Sequence, residues 1–143
     1  MSYLDDFEHS FMQNTLRIVE KYTGPYDATL LVNCLLGLLV IPKEAFIEAI
    51  PLDPLSELKK WGITPESIES CGRVTPANPH PNTLRGLVHN LRNSVSHFRI
   101  KPIPRTKTVH SFQFTDQNGL KATIRLDEML EFVKRLAKHL DEH

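Results

Sequence analysis

The sequence LRGLVHNLRNSVSHF occupies residues 84–98, and its spacing predicts an amphipathic helix. At about 100° per residue, one arc of this helix collects the apolar side chains, which predicts a stripe that faces the core. The apolar residues of the stripe are Leu84, Leu87, Val88, Leu91, Val95 and Phe98. Asn82 or Thr83 can cap the helix at its start, and Lys101-Pro102 is expected to end it.

The opposite side of this helix is polar and contains no carboxylate. Its members are Arg85, His89, Arg92, Asn93, Ser96 and His97. Gly86 lies on the same side and removes side-chain bulk there, which predicts the close approach of another backbone or of a ligand. A face of guanidinium, imidazole and amide groups without an acid is suited to an anionic ligand.

The segments before this helix predict further helices. Helical spacing, proline positions and capping signals place them, in chain order, over residues 4–22, from Leu30 to Pro42, over Lys43–Ile50 and, as short pieces of a proline-rich loop, over Pro54–Trp61 and Pro65–Ser70.

The segment after the helix predicts a β-hairpin and a final helix. Between Thr108 and Leu126 apolar residues recur with a period of two, which is typical of strands. Asp116-Gln117-Asn118-Gly119 separates the two alternating runs and favours a hairpin turn. Asp127 can then cap a C-terminal helix.

Charge is distributed unevenly along a chain whose formal net charge is zero. Before Ser70 there are 11 acidic residues against 5 basic ones, whereas residues 70–115 contain no acidic residue. This acid-free segment carries positive charges at Arg73, Arg85, Arg92, Arg99, Lys101, Arg105 and Lys107. A local basic field attracts polyanions even when the whole molecule is neutral, although a solvated basic loop is the simpler alternative.

Length and composition predict a single domain over residues 1–143, since a chain of this size can bury a core without a disulfide or a metal. No signal peptide is expected, and the charge-free stretch 28–42 is shorter than the ~20 residues that a membrane span needs. Cys34 and Cys71 form no CxxC pair, so a cytoplasmic protein with reduced thiols is expected. The histidines lack CxxC, HExxH and HxH spacing, so no metal and no other cofactor is expected.

Arg92, Asn93 and His97 are the residue types needed to cleave RNA through the substrate's own 2′-hydroxyl. Histidine can act as an acid or as a base near neutral pH, and a guanidinium suits the charge of the phosphorane. Asn93 lies four residues before His97, where it can orient the imidazole or bind a phosphate oxygen. We predict these three as catalytic residues. The predicted substrate-binding residues are Arg85, His89, Ser96, Arg99 and Lys101.

In-line attack places the base and the acid on opposite sides of the phosphorus, and one imidazole cannot easily serve both. His89 lies two helical turns from His97, too distant to be a close partner. A twofold dimer in which two such faces meet would bring Arg92 and His97 together with their mates. We therefore expect a homodimer through the Arg92/His97 face.

The pattern Arg92-Asn93-x-x-x-His97 on the polar face of a helix resembles the HEPN superfamily, whose motif is an arginine, a polar residue and a following histidine. The resemblance implies a mainly α fold, a HEPN-like bundle of four to five helices, here with one β-hairpin before the C-terminal helix. It also implies a homodimeric, metal-independent endoribonuclease with Arg92 and His97 catalytic and Asn93 assisting. Such proteins act as toxins or in antiviral defence, sometimes restrained by an antitoxin or another regulatory protein.

A second interpretation keeps the fold without catalysis: a module that binds RNA or a nucleotide, or that docks a regulatory partner. The intact Arg92–His97 pair favours the enzyme, because binding alone needs positive charge but no imidazole. Ser94 and Ser96 lie close to His97, but no GxSxG elbow accompanies them. Both are expected to be hydroxyls on the helix surface.

Overall fold

The computed structural model describes residues 48–97, 99–105 and 108–141. In this part of the chain one antiparallel sheet packs against two α-helices. The elements are strands β1 (Ile68–Cys71), β2 (Ile100–Arg105), β3 (Thr108–Thr115) and β4 (Leu120–Arg125), helices α1 (Leu84–Ser96) and α2 (Leu126–Asp141), and 3₁₀ helices over Leu55–Trp61 and Pro65–Ser67. None of the helices in these ranges is long and apolar enough to cross a membrane.

The expectation of a mainly α bundle of four to five helices is wrong. The helices share the core with a four-stranded sheet in the order β1-β4-β3-β2. The predicted hairpin is present as β3 and β4, but β1 and β2 extend it on both sides. Three predicted helices lie wholly or mostly outside the described residues: those over residues 4–22, from Leu30 to Pro42 and over Lys43–Ile50.

Strand β2 occupies a segment whose first residues were expected to belong to a helix. The helix predicted to reach Lys101-Pro102 ends at Ser96, and the chain pairs with β3 from Ile100 onward. Pro102 and Pro104 have no backbone N–H, so within a sheet they are tolerated on an edge strand or at a bulge. β2 is an edge strand, and its register shifts just before Pro104. The prolines that exclude a helix are therefore compatible with this strand.

Strand β1 is the opposite edge of the sheet. The helical piece predicted over Pro65–Ser70 is only one 3₁₀ turn, and Ile68–Cys71 pairs with β4 instead. The pairing is irregular between Ile68 and Ser70. A four-residue strand is too short to show a clear period of two, which is why the pattern missed it.

One hydrophobic cluster lies between the two helices and one face of the sheet. All described residues of the predicted α1 stripe are 3 % exposed or less, which confirms the stripe; Phe98 lies outside the described residues. The sheet contributes alternate residues of β3 and β4, and α2 adds its own apolar side chains. These partners are Phe112, Phe114, Leu120, Ala122, Ile124, Met129, Phe132, Val133 and Leu136. Each fully buried large side chain stabilises the fold by about 1.5–3 kcal/mol.

Two buried amides hold the loop between β1 and α1 in place. The Asn78 side chain donates to the carbonyl oxygen of Gly86 and to Oδ1 of Asn90, both at 3.1 Å. The Asn90 side chain in turn donates to the carbonyl oxygen of Cys71 at 2.8 Å. This chain of bonds joins the loop, the helix and the strand. Leaving one of its buried amides unsatisfied would cost about 1–3 kcal/mol. Neither asparagine stood out in the sequence.

Gly86 shows why the loop can lie so close to α1. Thr83 caps the helix by accepting from the Gly86 N–H at 3.2 Å. A Cβ on Gly86 would overlap the carbonyl oxygen of His80 and would lie 2.6 Å from Pro81 Cα. The close approach predicted at this glycine is therefore made by another part of the backbone.

Replacing Gly86 by Ala should destabilise the protein. The methyl group meets rigid backbone, and such overpacking costs typically about 1–3 kcal/mol, against a gain of about 1 kcal/mol in helix propensity. Urea unfolding monitored by circular dichroism should show a lower midpoint. Ser96→Ala on the exposed part of the same helix is the matched control and should stay within about 0.5 kcal/mol of wild type. A Gly86→Ala protein as stable as wild type would contradict the packing described above.

Candidate functional site

The C-terminal end of α1 places Asn93 and His97 side by side. The helix ends at Ser96, and the backbone N–H of His97 donates to the Asn93 carbonyl oxygen at 3.0 Å. Residues four apart are neighbours on a helix surface, and both side chains line one pocket of about 150 Å³. His97 is exposed and Asn93 is half-buried. The predicted adjacency of these two residues is what the helix geometry produces.

Ser94 anchors this end of the helix to the sheet. Its side chain is fully buried, and its hydroxyl donates to the Arg99 carbonyl oxygen at 2.9 Å. The Arg99 N–H donates to the Ser94 carbonyl oxygen, and the Thr115 N–H donates to the Arg99 carbonyl oxygen. The expectation that Ser94 is a surface hydroxyl is therefore wrong, while Ser96 is exposed as expected. These bonds hold the reversal between α1 and β2, and so place Arg99 beside His97.

The same pocket receives two residues from the hairpin turn. Arg99, Asp116 and Gln117 line it together with Asn93 and His97. Asp116 is only 9 % exposed. Its Oδ1 accepts from the backbone N–H groups of Asn118 and Leu120, both at 3.0 Å. Its Oδ2 is buried and has no hydrogen-bond partner among the described residues.

Sequence reasoning missed Asp116 as a site residue. Asp116 is the first acid after the acid-free segment 70–115, and it belongs to the predicted turn. Its place in the site depends on the pairing of β2 with β3, which brings the turn to the end of α1. The polar face of the helix has no carboxylate along the chain, but the folded pocket contains one.

His89 and Arg92 lie further toward the middle of α1, and both are half-buried. Burial lowers the pKa of His89 below its ordinary value, and the positive charge of Arg92 lowers this pKa further. The Asp116 carboxylate acts in the opposite direction and offsets part of the effect. His89 is therefore mainly neutral at pH 7.

His89 and His97 line different pockets. His89 lines a pocket of about 140 Å³ together with Asn78, His80 and Gly86. Eight residues of helix separate the two imidazoles, which corresponds to roughly 12 Å along the axis. The structure thus brings His97 together with Asn93 and Arg99, and brings His89 together with an exposed imidazole that the sequence did not associate with it.

The family model described as HEPN pEK499 p136 matches residues 1–143.

This chain belongs to that HEPN family.

The resemblance carried by Arg92-Asn93-x-x-x-His97 is confirmed at the level of HEPN membership. No curated protein and no solved structure gives a significant match.

Arg85 and Lys101 are the remaining predicted substrate-binding residues of this HEPN protein. The guanidinium of Arg85 is held by hydrogen bonds to two backbone carbonyl oxygens. Its Nε donates to the Ile50 carbonyl oxygen at 2.9 Å, and its Nη2 donates to the Glu48 carbonyl oxygen at 2.8 Å. Lys101 is exposed on β2. The substrate-binding roles of both residues stay predictions.

No group of three or more histidine, cysteine, aspartate or glutamate side chains within the described ranges is arranged to hold a metal ion. The expectation of a site without metal stays a prediction.

The lowered pKa of His89 has a consequence for stability. The unfolded chain binds a proton on this ring at a higher pH than the folded HEPN protein does. Stability from this group is therefore present above the unfolded pKa of about 6.5 and is lost as the pH falls through the lower folded pKa. His89→Gln should show a smaller loss of unfolding free energy between pH 7.5 and 5.5 than wild type does, measured by urea unfolding.

The matched control is His80→Gln, which removes the exposed imidazole from the same pocket and keeps the half-buried one. If wild type and His89→Gln lost stability in parallel over this pH range, the burial and charge environment described for His89 would be incorrect.

Proposed function

We propose that this HEPN protein is a metal-independent endoribonuclease that cleaves RNA by attack of the substrate 2′-hydroxyl. The observation that carries the proposal is the pocket at the exposed end of α1, where His97 and Asn93 of the motif meet Arg99. The exposed imidazole of His97 and guanidinium of Arg99, with the half-buried amide of Asn93, form a suitable set for a phosphodiester. HEPN membership is consistent with nuclease activity in general.

In the proposed reaction the 2′-oxygen forms a bond to phosphorus while the bond from phosphorus to the 5′-oxygen breaks. His97 takes the proton of the 2′-hydroxyl or gives a proton to the departing 5′-oxygen, and Arg92 stabilises the negative charge of the phosphorane. General acid–base catalysis contributes typically 10²–10⁴-fold to such a rate. A donor aimed at developing charge contributes about 10²–10³-fold. Asn93, adjacent to His97, orients the imidazole or binds a phosphate oxygen. No cofactor enters this scheme.

The proposal includes a homodimer with a composite site. The described pocket contains one imidazole, whereas in-line cleavage uses a base and an acid on opposite sides of the phosphorus. Exposed residues near the end of α1, where a second copy can reach them, include Ser96, His97, Arg99 and Lys101. A twofold axis there would bring Arg92 and His97 of two protomers into one site, because a twofold interface pairs each patch with itself.

The biological setting is also part of the proposal. RNA is the proposed partner, and the proposed role is that of a cytoplasmic toxin or antiviral-defence effector, restrained by an antitoxin or a regulatory protein. This setting derives from the HEPN resemblance, and the chemistry of the pocket does not depend on it.

His97→Ala should abolish cleavage in EDTA while leaving RNA binding largely intact, because the proton-transfer group is lost and most of the positive charge remains. We expect the rate on tRNA and single-stranded RNA to fall at least about 10²-fold. Arg92→Ala should weaken RNA affinity as well as cleavage. Denaturing gels measure cleavage, fluorescence anisotropy measures binding, and the products should carry 2′,3′-cyclic phosphate ends.

His80→Ala, which removes an exposed imidazole outside the motif, is the control and should cleave like wild type. Wild-type protein that binds these RNAs in EDTA but cuts none of them would replace the enzyme by the non-catalytic binding module of the same fold.

Cleavage should also depend on the dimer. On dilution through the dissociation range of the dimer, the rate per protomer should fall at least about tenfold, since a monomer holds only half of the composite site. Sedimentation velocity gives the dimer fraction, and cleavage is measured at the same concentrations. A monodisperse monomer with undiminished activity would refute the composite site.

A further inference from the structure

Arg73 is an exposed arginine of the acid-free segment that the proposed cleavage does not use. It follows β1, and its backbone N–H donates to the Asn118 carbonyl oxygen at 2.8 Å. Its side-chain Nη2 donates to the Gln117 carbonyl oxygen at 3.2 Å. Gln117 also lines the pocket that contains His97 and Arg99. The guanidinium of Arg73 is therefore bonded to a residue that lines the candidate site.

The backbone before Arg73 is held against the β3–β4 turn. Gly72 has a φ of +92°, and a Cβ at this position would lie 3.2 Å from the Asn118 carbonyl oxygen, so the two segments pack closely. The Cys71 carbonyl oxygen accepts from the buried side chain of Asn90 at 2.8 Å. A charged group on an anchored backbone loses less conformational freedom on binding than one on a free loop. Arg73 is thus pre-organised beside the turn.

No carboxylate of the described residues forms an ion pair with Arg73. Arg125 and Arg135, the described arginines outside the acid-free segment, both form ion pairs with acidic residues of α2. Glu69, the acid that precedes Arg73 most closely in the sequence, is itself paired with Lys121 at 3.4 Å. The positive charge of Arg73 is therefore available to an external anion.

Arg73 and Arg99 lie on opposite sides of the β3–β4 turn. Arg73 contacts the turn through Asn118, whereas the Arg99 carbonyl oxygen accepts from the Thr115 N–H. Their segments continue the two outer strands of the order β1-β4-β3-β2. Three strand spacings therefore separate the two backbones, or about 14 Å. Asp116, the acid of the turn, is buried, and residues 117–119 are uncharged, so the turn exposes no carboxylate between the two arginines.

We propose that Arg73 binds a second phosphate of the RNA, in a strand that runs from the pocket of His97 and Arg99 across the β3–β4 turn. This inference rests on the proposed function and extends its substrate path. A guanidinium can bind two oxygens of one phosphate. The Nε and Nη1 of Arg73 donate to no acceptor among the described residues, which leaves both for a phosphate. Because the contact is made to the backbone of the strand, it raises the affinity for RNA of any sequence.

The first experiment measures binding without cleavage. The probe is a fluorescein-labelled single-stranded RNA, long enough to cross the turn, with 2′-O-methyl groups throughout, because a methylated 2′-oxygen cannot attack the phosphorus. Fluorescence anisotropy in EDTA gives the affinity of the full-length protein over a series of salt concentrations. Arg73→Gln should weaken binding about three- to tenfold at low salt. The slope of log K against log salt concentration should become shallower by about 0.7, the contribution of one phosphate contact in a single strand.

Two further variants separate the charge of Arg73 from its contact with the turn. Arg73→Gln keeps a donor for the Gln117 carbonyl oxygen, and thermal unfolding checks that the fold is intact. Arg73→Lys should restore most of the affinity and of the salt slope, since lysine also binds phosphate, as a point charge. The matched control is Arg125→Gln, which removes the same charge at the far end of β4 and should bind the probe within about twofold of wild type.

If Arg73→Gln and Arg125→Gln bound the probe alike, with equal salt slopes, the proposal would be overturned, and Arg73 would belong to a solvated basic surface. Equal losses of affinity in Arg73→Gln and Arg73→Lys would also overturn it, because the arginine would then act by holding the turn.

Cleavage of unmodified RNA separates this inference from the proposed function. Arg73→Gln should raise KM more than it lowers kcat, since a contact remote from the reacting phosphate binds substrate and transition state alike. Protein whose affinity for the methylated probe depends on Arg73, but which cuts no RNA in EDTA, would refute the nuclease and retain the phosphate subsite. Protein that cuts RNA, and binds the probe equally well with Arg73 or Gln at this position, would refute the subsite and retain the nuclease.

Discussion

The exchange of hydrogen bonds between Ser94 and Arg99 is the interaction on which the geometry of the candidate site depends. It joins the last turn of α1 to the first residue before β2, and the Arg99 carbonyl oxygen passes the connection on to β3 through Thr115. One bond from a buried hydroxyl and two from backbone N–H groups therefore link the helix end, the edge strand and the end of β3 to one another. The pocket lies at their meeting point, so its residues come from three elements while sharing one anchor.

The parts of the fold that follow from local periodicity could be predicted from the sequence. The α1 stripe and the β3–β4 hairpin with its turn are of this kind, because each depends on residues only a few positions apart. Strands β1 and β2 could not be predicted, since one is too short for a clear period and the other contains Pro102 and Pro104. Their strand character depends on partners far along the chain. The mainly α expectation is wrong because these two strands give only weak local signals, and the helical bundle implied by the family resemblance contains neither of them.

Only part of the candidate site could be predicted from the sequence. Helix geometry alone places Asn93 beside His97, whereas the acid-free segment gives no sign that a carboxylate reaches the pocket at the helix end. The contribution of Asp116 depends on strand pairing, and the buried roles of Asn78, Asn90 and Ser94 depend on partners that no local pattern reveals. Short polar residues in a helix are usually taken as solvent-facing. In α1, two of them are among the most deeply buried groups in the described residues.

The prolines of β2 have a consequence for how copies of this protein can associate. A bare sheet edge invites another strand to pair with it, through its row of backbone N–H donors. Pro102 and Pro104 supply no such donor to the edge strand β2. A second chain finds too few donors there to extend the sheet. Association of protomers through this edge is thereby directed to side chains, and strand addition is discouraged.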